Sequence, residues 1–319
     1  MIDLPTVLFA ALPIFFFVGA GLAMRRLNWL TEEADGSLMR VTVNLLVPCL
    51  SFDKILGNGA LEHSSNLWLA PLVGFGTVAA GVALAWMVRG FTGLRDEVGR
   101  RTFAFSTAVY NYGYVPIPLA LALFNDDGQT AGLILVHNLG VELALWTFGM
   151  ILLGGVNLRT GWKKILSPPV VAILVSVTLN VALRAAHIEV PEVVRSTVRM
   201  LGQCAIPMGV ILIGATMSDH LHEFGAARGG RVMGLACLLR MGLLPVLFLL
   251  LARWLPCSVE LKRVIVLQAA MPAAVFPIVM AKHYGGDPAT AVRVVVATSL
   301  VGLVTIPLWI RFGMHFVGL

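Results

Sequence analysis

Apolar residues in this chain gather into runs of about the length that crosses a bilayer as a helix, roughly 20 residues. Ten such runs cover 6–26, 38–57, 67–88, 102–124, 130–153, 168–186, 197–217, 231–252, 262–283 and 290–311. The polar stretches between them carry turn and cap residues, among them Thr31-Glu32-Glu33, Gly57-Asn58-Gly59, Asn125-Asp126-Asp127-Gly128 and Gly285-Gly286-Asp287-Pro288. That is the punctuation expected between helices. The pattern predicts an all-α membrane protein of ten transmembrane helices, with no separate soluble domain. Composition agrees: 58% of residues are hydrophobic and 13% charged, too much apolar surface for one soluble core to hide.

Two of the runs are interrupted by proline. One reads FSTAVYNYGYVPIPLALALF, 105–124, and the other VIVLQAAMPAAVFPIVMAKHY, 264–284. Pro118 and Pro277 lie 159 positions apart, almost half of the 319-residue chain, and Pro48 and Pro207 share that offset. A proline in a helix interior removes a hydrogen bond and costs about 3 kcal/mol or more. Within a membrane the freed backbone groups are tolerated only where they are buried in protein or line a cavity. A matched pair of broken helices is therefore a pointer to a carrier's central site. Five runs per half is an odd number, so a duplicated second half enters the membrane in the opposite sense. The expected organisation is two inverted five-helix repeats, 1–160 and 161–319.

The breaks expose two half-helix N-termini, expected to begin around Pro118 and Pro277. Each carries roughly half a positive charge and unpaired N–H groups, a setting that suits a carboxylate. Glu142 sits near the centre of the fifth run, where a charge costs about 2.5–3.5 kcal/mol on insertion scales. It is thus read as inward-facing and as a candidate proton carrier. Asn138, four residues earlier, shares its helix face. Arg240, central in the eighth run, is either the ion-pair partner of Glu142 or a contact for an anionic substrate. His137 is turned about 100° from Asn138 and reads as a packed, hydrogen-bonded residue. Gln203 and Gln268 are polar residues in or near cavity-forming runs, able to bond between helices. Asp53 and Lys54 close the second run and read as a solvated pair.

At the 159-residue offset the prolines recur but the chemistry does not. Glu142 falls on Val301, Asn138 on Ala297, Asn111 on Ala270 and Arg240 on Gly81. One central site with specific polar walls is expected, not two equivalent ones.

Charge adds orientation. With the N-terminus outside, fourteen Lys and Arg fall on the cytoplasmic side and eight outside, so the positive-inside rule places both termini outside. The net charge of +6 comes with no basic run of the kind that binds nucleic acid. The segment before Arg25-Arg26 has its basic pair after the apolar run instead of before it, and reads as a retained first span. Cys49, Cys204, Cys237 and Cys257 form no CxxC or Cys/His pattern, so neither metal nor disulfide framework is expected. No HExxH motif, phosphate loop or nucleophile elbow is present, and Asp126-Asp127 reads as a turn.

Gln268-Ala-Ala-Met-Pro272-Ala-Ala-Val-Phe-Pro277-Ile-Val-Met-Ala-Lys282-His-Tyr284 resembles the ninth-helix crossover of the auxin efflux carrier family, which includes plant PIN proteins and bacterial organic-acid permeases. Val47-Pro48-Cys49-Leu50-Ser51-Phe52 is similar to its second-helix motif, and Asn111 with Pro118 to its fourth-helix crossover. The resemblance implies helices four and nine crossing at their breaks, as also in the sodium–bile acid symporters. It implies a scaffold of helices one, two, six and seven, a transport part of helices three to five and eight to ten, and an elevator-like motion. Ser51, Asn111, Pro118, Asn138, Pro272 and Pro277 would then line a site for a small organic anion, with Glu142, Gln268 and Arg240 serving coupling. Members sit in the cell membrane, the inner membrane in bacteria, and are often homodimers. Two features differ from the plant proteins: 67–88 has no acidic residue, and the 154–167 connection is short, so auxin itself is not the expected substrate. The expected function is secondary transport of carboxylates without a cofactor, driven by H+ or Na+. A sodium-coupled symporter, a passive channel, and a receptor or enzyme remain the alternatives.

Overall fold

The computed structural model describes residues 3–154, 166–220 and 229–319. Among them the chain is helical throughout, with one isolated antiparallel bridge. In chain order the helices are α1 (Leu4–Arg26), α2 (Glu32–Val41), α3 (Val47–Ile55), α4 (Ser64–Val88), α5 (Glu97–Ala108), α6 (Pro116–Leu123), α7 (Gln129–Leu153) and α8 (Pro168–Ala185). They continue as α9 (Glu192–Gln203), α10 (Ala205–His220), α11 (Gly230–Leu238), α12 (Leu244–Trp254), α13 (Val259–Ala270), α14 (Phe276–His283) and α15 (Pro288–Val317).

Among the described residues, seven continuous helical stretches are long and apolar enough to cross a membrane: Leu4–Arg26, Ser64–Thr92, Gln129–Leu153, Pro168–Ala185, Glu192–Asp219, Gly230–Trp254 and Pro288–Val317. The second, fourth and ninth expected runs are absent from that set for physical reasons. The second, α2 to α3, is diluted by Glu32, Glu33, Asp35, Arg40, Asp53 and Lys54. The fourth and ninth are each cut into a helix of 12 residues and one of 8.

Prolines account for most of the departures from ideal helix. A π-helical turn, Thr42–Leu46, joins α2 to α3 just ahead of Pro48, and another, Leu239–Leu243, joins α11 to α12 just ahead of Pro245. In both, the proline lacks the N–H that the carbonyl four residues back would accept, and the helix widens there. At the second turn that carbonyl belongs to Met241, and the Trp309 indole N–H donates to it at 2.7 Å. The helix also changes at Cys204, three residues before Pro207.

Packing follows small residues. α4 lies closest to α7, and a Cβ on Gly140 would stand 1.7 Å from the Pro71 carbonyl oxygen. α1 packs almost as extensively on α10, where Gly21 and Gly214 each meet a backbone carbonyl of the other helix. Such contacts let membrane helices approach closely without a hydrophobic driving force between them. α7 is the central element, with 67% of its most apolar window buried, whereas α1, at 22%, presents most of its surface outward. α3 packs on α8 and α9, while α15 packs on both α5 and α13, each of which also packs on α7.

Candidate functional site

α5 ends at Ala108 and α13 at Ala270, and each gives way to extended chain. For α13 the cause is local: Met271 precedes Pro272, which disfavours helical backbone at the residue before it, and Met271 is extended (φ −76°, ψ 139°). After the first gap the polypeptide re-enters helix with Pro116 in the first turn of α6. After the second it does so with Pro277 in the first turn of α14. Proline is pre-set for that position. The half-helices therefore begin at Pro116 and Phe276, within two residues of the expected points.

The two gaps pair with each other. Tyr110 and Ala273 form the antiparallel bridge. The Asn111 N–H donates to the Pro272 carbonyl at 2.8 Å, and the Ala274 N–H to the Val109 carbonyl at 2.9 Å. Helices four and nine are thus broken and crossed. Four helix ends meet there: the C-termini of α5 and α13 and the N-termini of α6 and α14. Gln268 adds a third tie, its amide nitrogen donating to the Tyr112 carbonyl at 3.0 Å. The Thr298 hydroxyl of α15 accepts the Ala273 N–H at 3.1 Å.

The half-helix N-termini differ from expectation in one respect. The prolines that start them also delete their donors. Pro116, Pro118 and Pro277 have no N–H, the Ile117 N–H donates to the Gly113 carbonyl, and the Ile278 N–H to the Val275 carbonyl. Donors without a protein acceptor among the described residues lie just ahead instead, at Tyr112, Gly113 and Tyr114 and at Val275 and Phe276. The poles are present, but the hydrogen-bonding edge is the gap and not the first helical turn.

Around this edge the site residues gather as follows. Asn111 is nearly buried, and its side-chain oxygen accepts the Val115 N–H at a long 3.4 Å. Asn138, on α7, places its amide nitrogen 3.8 Å from where a Cβ on Gly113 would stand, so it faces the first gap. Glu142, one turn on, accepts the Tyr112 hydroxyl at 2.6 Å. A further turn along, Trp146 packs edge-on against Phe276 at 6.1 Å, so this face of α7 spans both gaps. Tyr112, Gly113, Tyr114 and Glu142 are only half-buried, so the crossing is not sealed in apolar packing.

Arg240 does not pair with Glu142. It is fully buried. Its guanidinium donates to the Met271 carbonyl at 2.9 Å, the Gln268 carbonyl at 3.0 Å and the Ala269 carbonyl at 3.4 Å. It also stacks over the rings of Tyr110 (4.8 Å) and Phe248 (5.2 Å). The ion-pair alternative is thereby corrected: helix eight delivers Arg240 to the carbonyl end of α13.

Other expected residues are placed less centrally. Ser51 is buried, but its hydroxyl donates to the Val47 carbonyl of its own helix at 2.9 Å, and no hydrogen bond ties it to either gap. His137 is fully buried beside Tyr110, with its Nδ1 3.4 Å from the Asn138 side-chain oxygen. Gln203 is exposed at the end of α9. The solvated-pair reading of Asp53 is corrected: its side chain is 3% exposed and braced by Lys54 and Arg199. A cavity of about 180 Å³, beside Leu56, Asn180, Arg184 and Arg195, is lined by none of the crossing residues. Sequence reading missed Tyr112 as the partner of Glu142, and Tyr114, whose ring covers Gly209 on α10. Their adjacency to the first break was the available signal.

Crossed, broken helices with polar walls inside a largely apolar bundle define a multi-span membrane transport protein. The membrane transport protein family matches residues 6–157 and 153–310, almost the whole chain. The chain belongs to this family of auxin efflux carrier-like proteins. It is similar to an "uncharacterized transporter" of Methanothermobacter thermautotrophicus, 26% identical over 305 residues, which are 93% of this chain and 95% of that one. A shorter stretch is similar to protein ECM3 of Saccharomyces cerevisiae, 30% identical over 76 residues, 24% of this chain and 12% of that protein.

Proposed function

We propose that this transporter is a secondary carrier of small organic anions that binds its substrate at the crossing of helices four and nine. The observation that carries the reading is the paired gap. Two helix N-termini, each with partial positive charge, meet beside backbone N–H groups that have no protein acceptor among the described residues. Asn111 and Asn138 offer amide donors, and the buried Arg240 offsets the negative pole of α13. A carboxylate matches that set.

In this reading the chain crosses the membrane ten times, as inverted halves 1–160 and 161–319, with both termini outside a bacterial inner membrane. Helices one, two, six and seven form a scaffold. Helices three to five and eight to ten carry the crossing past it in an elevator-like motion, and two copies associate through their scaffolds. Glu142, held by Tyr112 at the edge of the site, exchanges a proton with each cycle and couples uptake to the pH gradient.

The test is reconstitution into liposomes and uptake of labelled mono- and dicarboxylates with and without an imposed pH gradient. Saturable uptake that the gradient drives uphill is expected, and Glu142→Gln is expected to retain binding while losing the uphill component. Flux that never concentrates solute would replace the carrier with a channel. Unaltered coupling in Glu142→Gln would remove that residue from the mechanism.

A further inference from the structure

In carriers with broken helices, the carbonyl-bearing end of a half-helix is where a coupling cation is held, because its unpaired oxygens carry the negative pole. Here the corresponding end of α13 is already occupied by part of the protein. Three carbonyl oxygens, of Gln268, Ala269 and Met271, converge on one guanidinium. No ion pair with an acidic side chain is formed among the described residues, and the guanidinium lies over the faces of Tyr110 and Phe248. A buried, unpaired arginine is costly unless its surroundings supply negative potential. Carbonyl dipoles and aromatic faces supply it here.

The residue's position reinforces this. Arg240 lies within the π-helical turn that Pro245 imposes on helix eight, a local distortion that re-aims the side chain. Through Tyr110 and Met271 it touches both gaps at once. The remaining guanidinium nitrogen is buried with no hydrogen-bond partner.

We infer that Arg240 is a resident cation that fills a latent monovalent-cation site at the crossing, so that anion transport by this chain needs no sodium. The inference deepens the carrier reading and rests on it. Removing the side chain leaves a carbonyl-lined site that a soluble cation must refill before the crossing can hold an anion. Arg240 acts here through the backbone it organises and is a positioning residue.

The experiment measures carboxylate uptake by proteoliposomes in choline, sodium and guanidinium buffers. It compares wild type with Arg240→Ala, and follows the thermal unfolding of each purified protein in the same salts. Wild-type uptake is expected to be equal in choline and sodium. Arg240→Ala is expected to fall about tenfold or more in choline, in line with loss of several charge-assisted bonds. It should recover in sodium or guanidinium, and those ions should raise its melting temperature but not that of wild type. Sodium dependence in wild type overturns the inference, as does sodium-independent uptake by Arg240→Ala. A folded Arg240→Ala that no cation rescues shows a merely structural side chain and also overturns it. Should Arg240→Ala not fold, Arg240→Lys and Arg240→Gln replace it: Lys is expected to keep uptake in choline and Gln to lose it, and equal behaviour counts against the inference. If wild type moves no carboxylate in any buffer while its unfolding is normal, the carrier reading fails instead. The cation-site inference is then judged on the melting temperatures of the variants alone.

Discussion

Glu142, Tyr112 and Asn138 show how much a single helix face can hold. Spacing alone placed Asn138 and Glu142 on one side of α7, because residues four apart share a face. It did not reveal that Tyr112 holds the carboxylate, because that contact forms only after the first gap folds back across α7. Nor could it separate Glu142 from Arg240, since the carbonyls that hold Arg240 lie about thirty residues further along the chain. Two outcomes follow at this scale. Tyr112→Phe removes the 2.6 Å bond to Glu142 and is expected to lower proton-driven uptake about tenfold, the usual worth of a hydrogen bond to a charged group. Passive exchange of the same anion should change little, and an equal loss of both would show that Tyr112 serves the fold. Asn138→Leu keeps the branched shape and deletes the amide; the half-saturating anion concentration should rise about tenfold. An unchanged value would take Asn138 out of the binding wall.

The elements were legible where one cause sufficed. Apolar runs and caps gave most of the long helices, and matched prolines gave the start of both half-helices to within two residues. Less visible were the π-helical turns, which depend on a proline together with a partner for the freed carbonyl, such as Trp309 for Met241. Sequence also overstated the donors at the half-helix ends, since the prolines that open a gap take their own N–H groups out of it. The close crossing of α4 and α7 gives a sharp contrast between two glycines. Gly140→Ala would set a methyl 1.7 Å from the Pro71 carbonyl, whereas Gly76→Ala meets nothing within 4 Å. We expect Gly140→Ala to lower the melting temperature by several degrees or prevent accumulation in the membrane, and Gly76→Ala to do neither. Equal effects would mean that the helices do not meet as described.

At the scale of the whole molecule, family membership and the crossing agree on a transporter, and the motion can be tested through one contact. Tyr114, in the first gap, lies over Gly209 on α10, joining an element of the proposed moving part to one of the proposed scaffold. With Cys49, Cys204, Cys237 and Cys257 replaced, Tyr114→Cys with Gly209→Cys should be joined by a short bifunctional thiol reagent. Transport should stop on joining and resume on cleavage of a reducible linker. Full activity in the joined protein would mean that these surfaces do not slide past each other. The sequence could not supply this contact, because matched prolines suggest which helices correspond but not which surfaces rest on each other.

The rung between Val109–Asn111 and Pro272–Ala274 makes two distant stretches of the gene answerable to each other. An extra residue within 109–111 would slide that strand by one place, sending Asn111 to the wrong face and leaving the carbonyls of Val109 and Pro272 without donors. No neighbouring loop can absorb such a slip, because helices bound both gaps. Insertions and deletions among related carriers should therefore crowd into the surface connections and spare Val109–Asn111 and Pro272–Ala274, or else strike both linkers together.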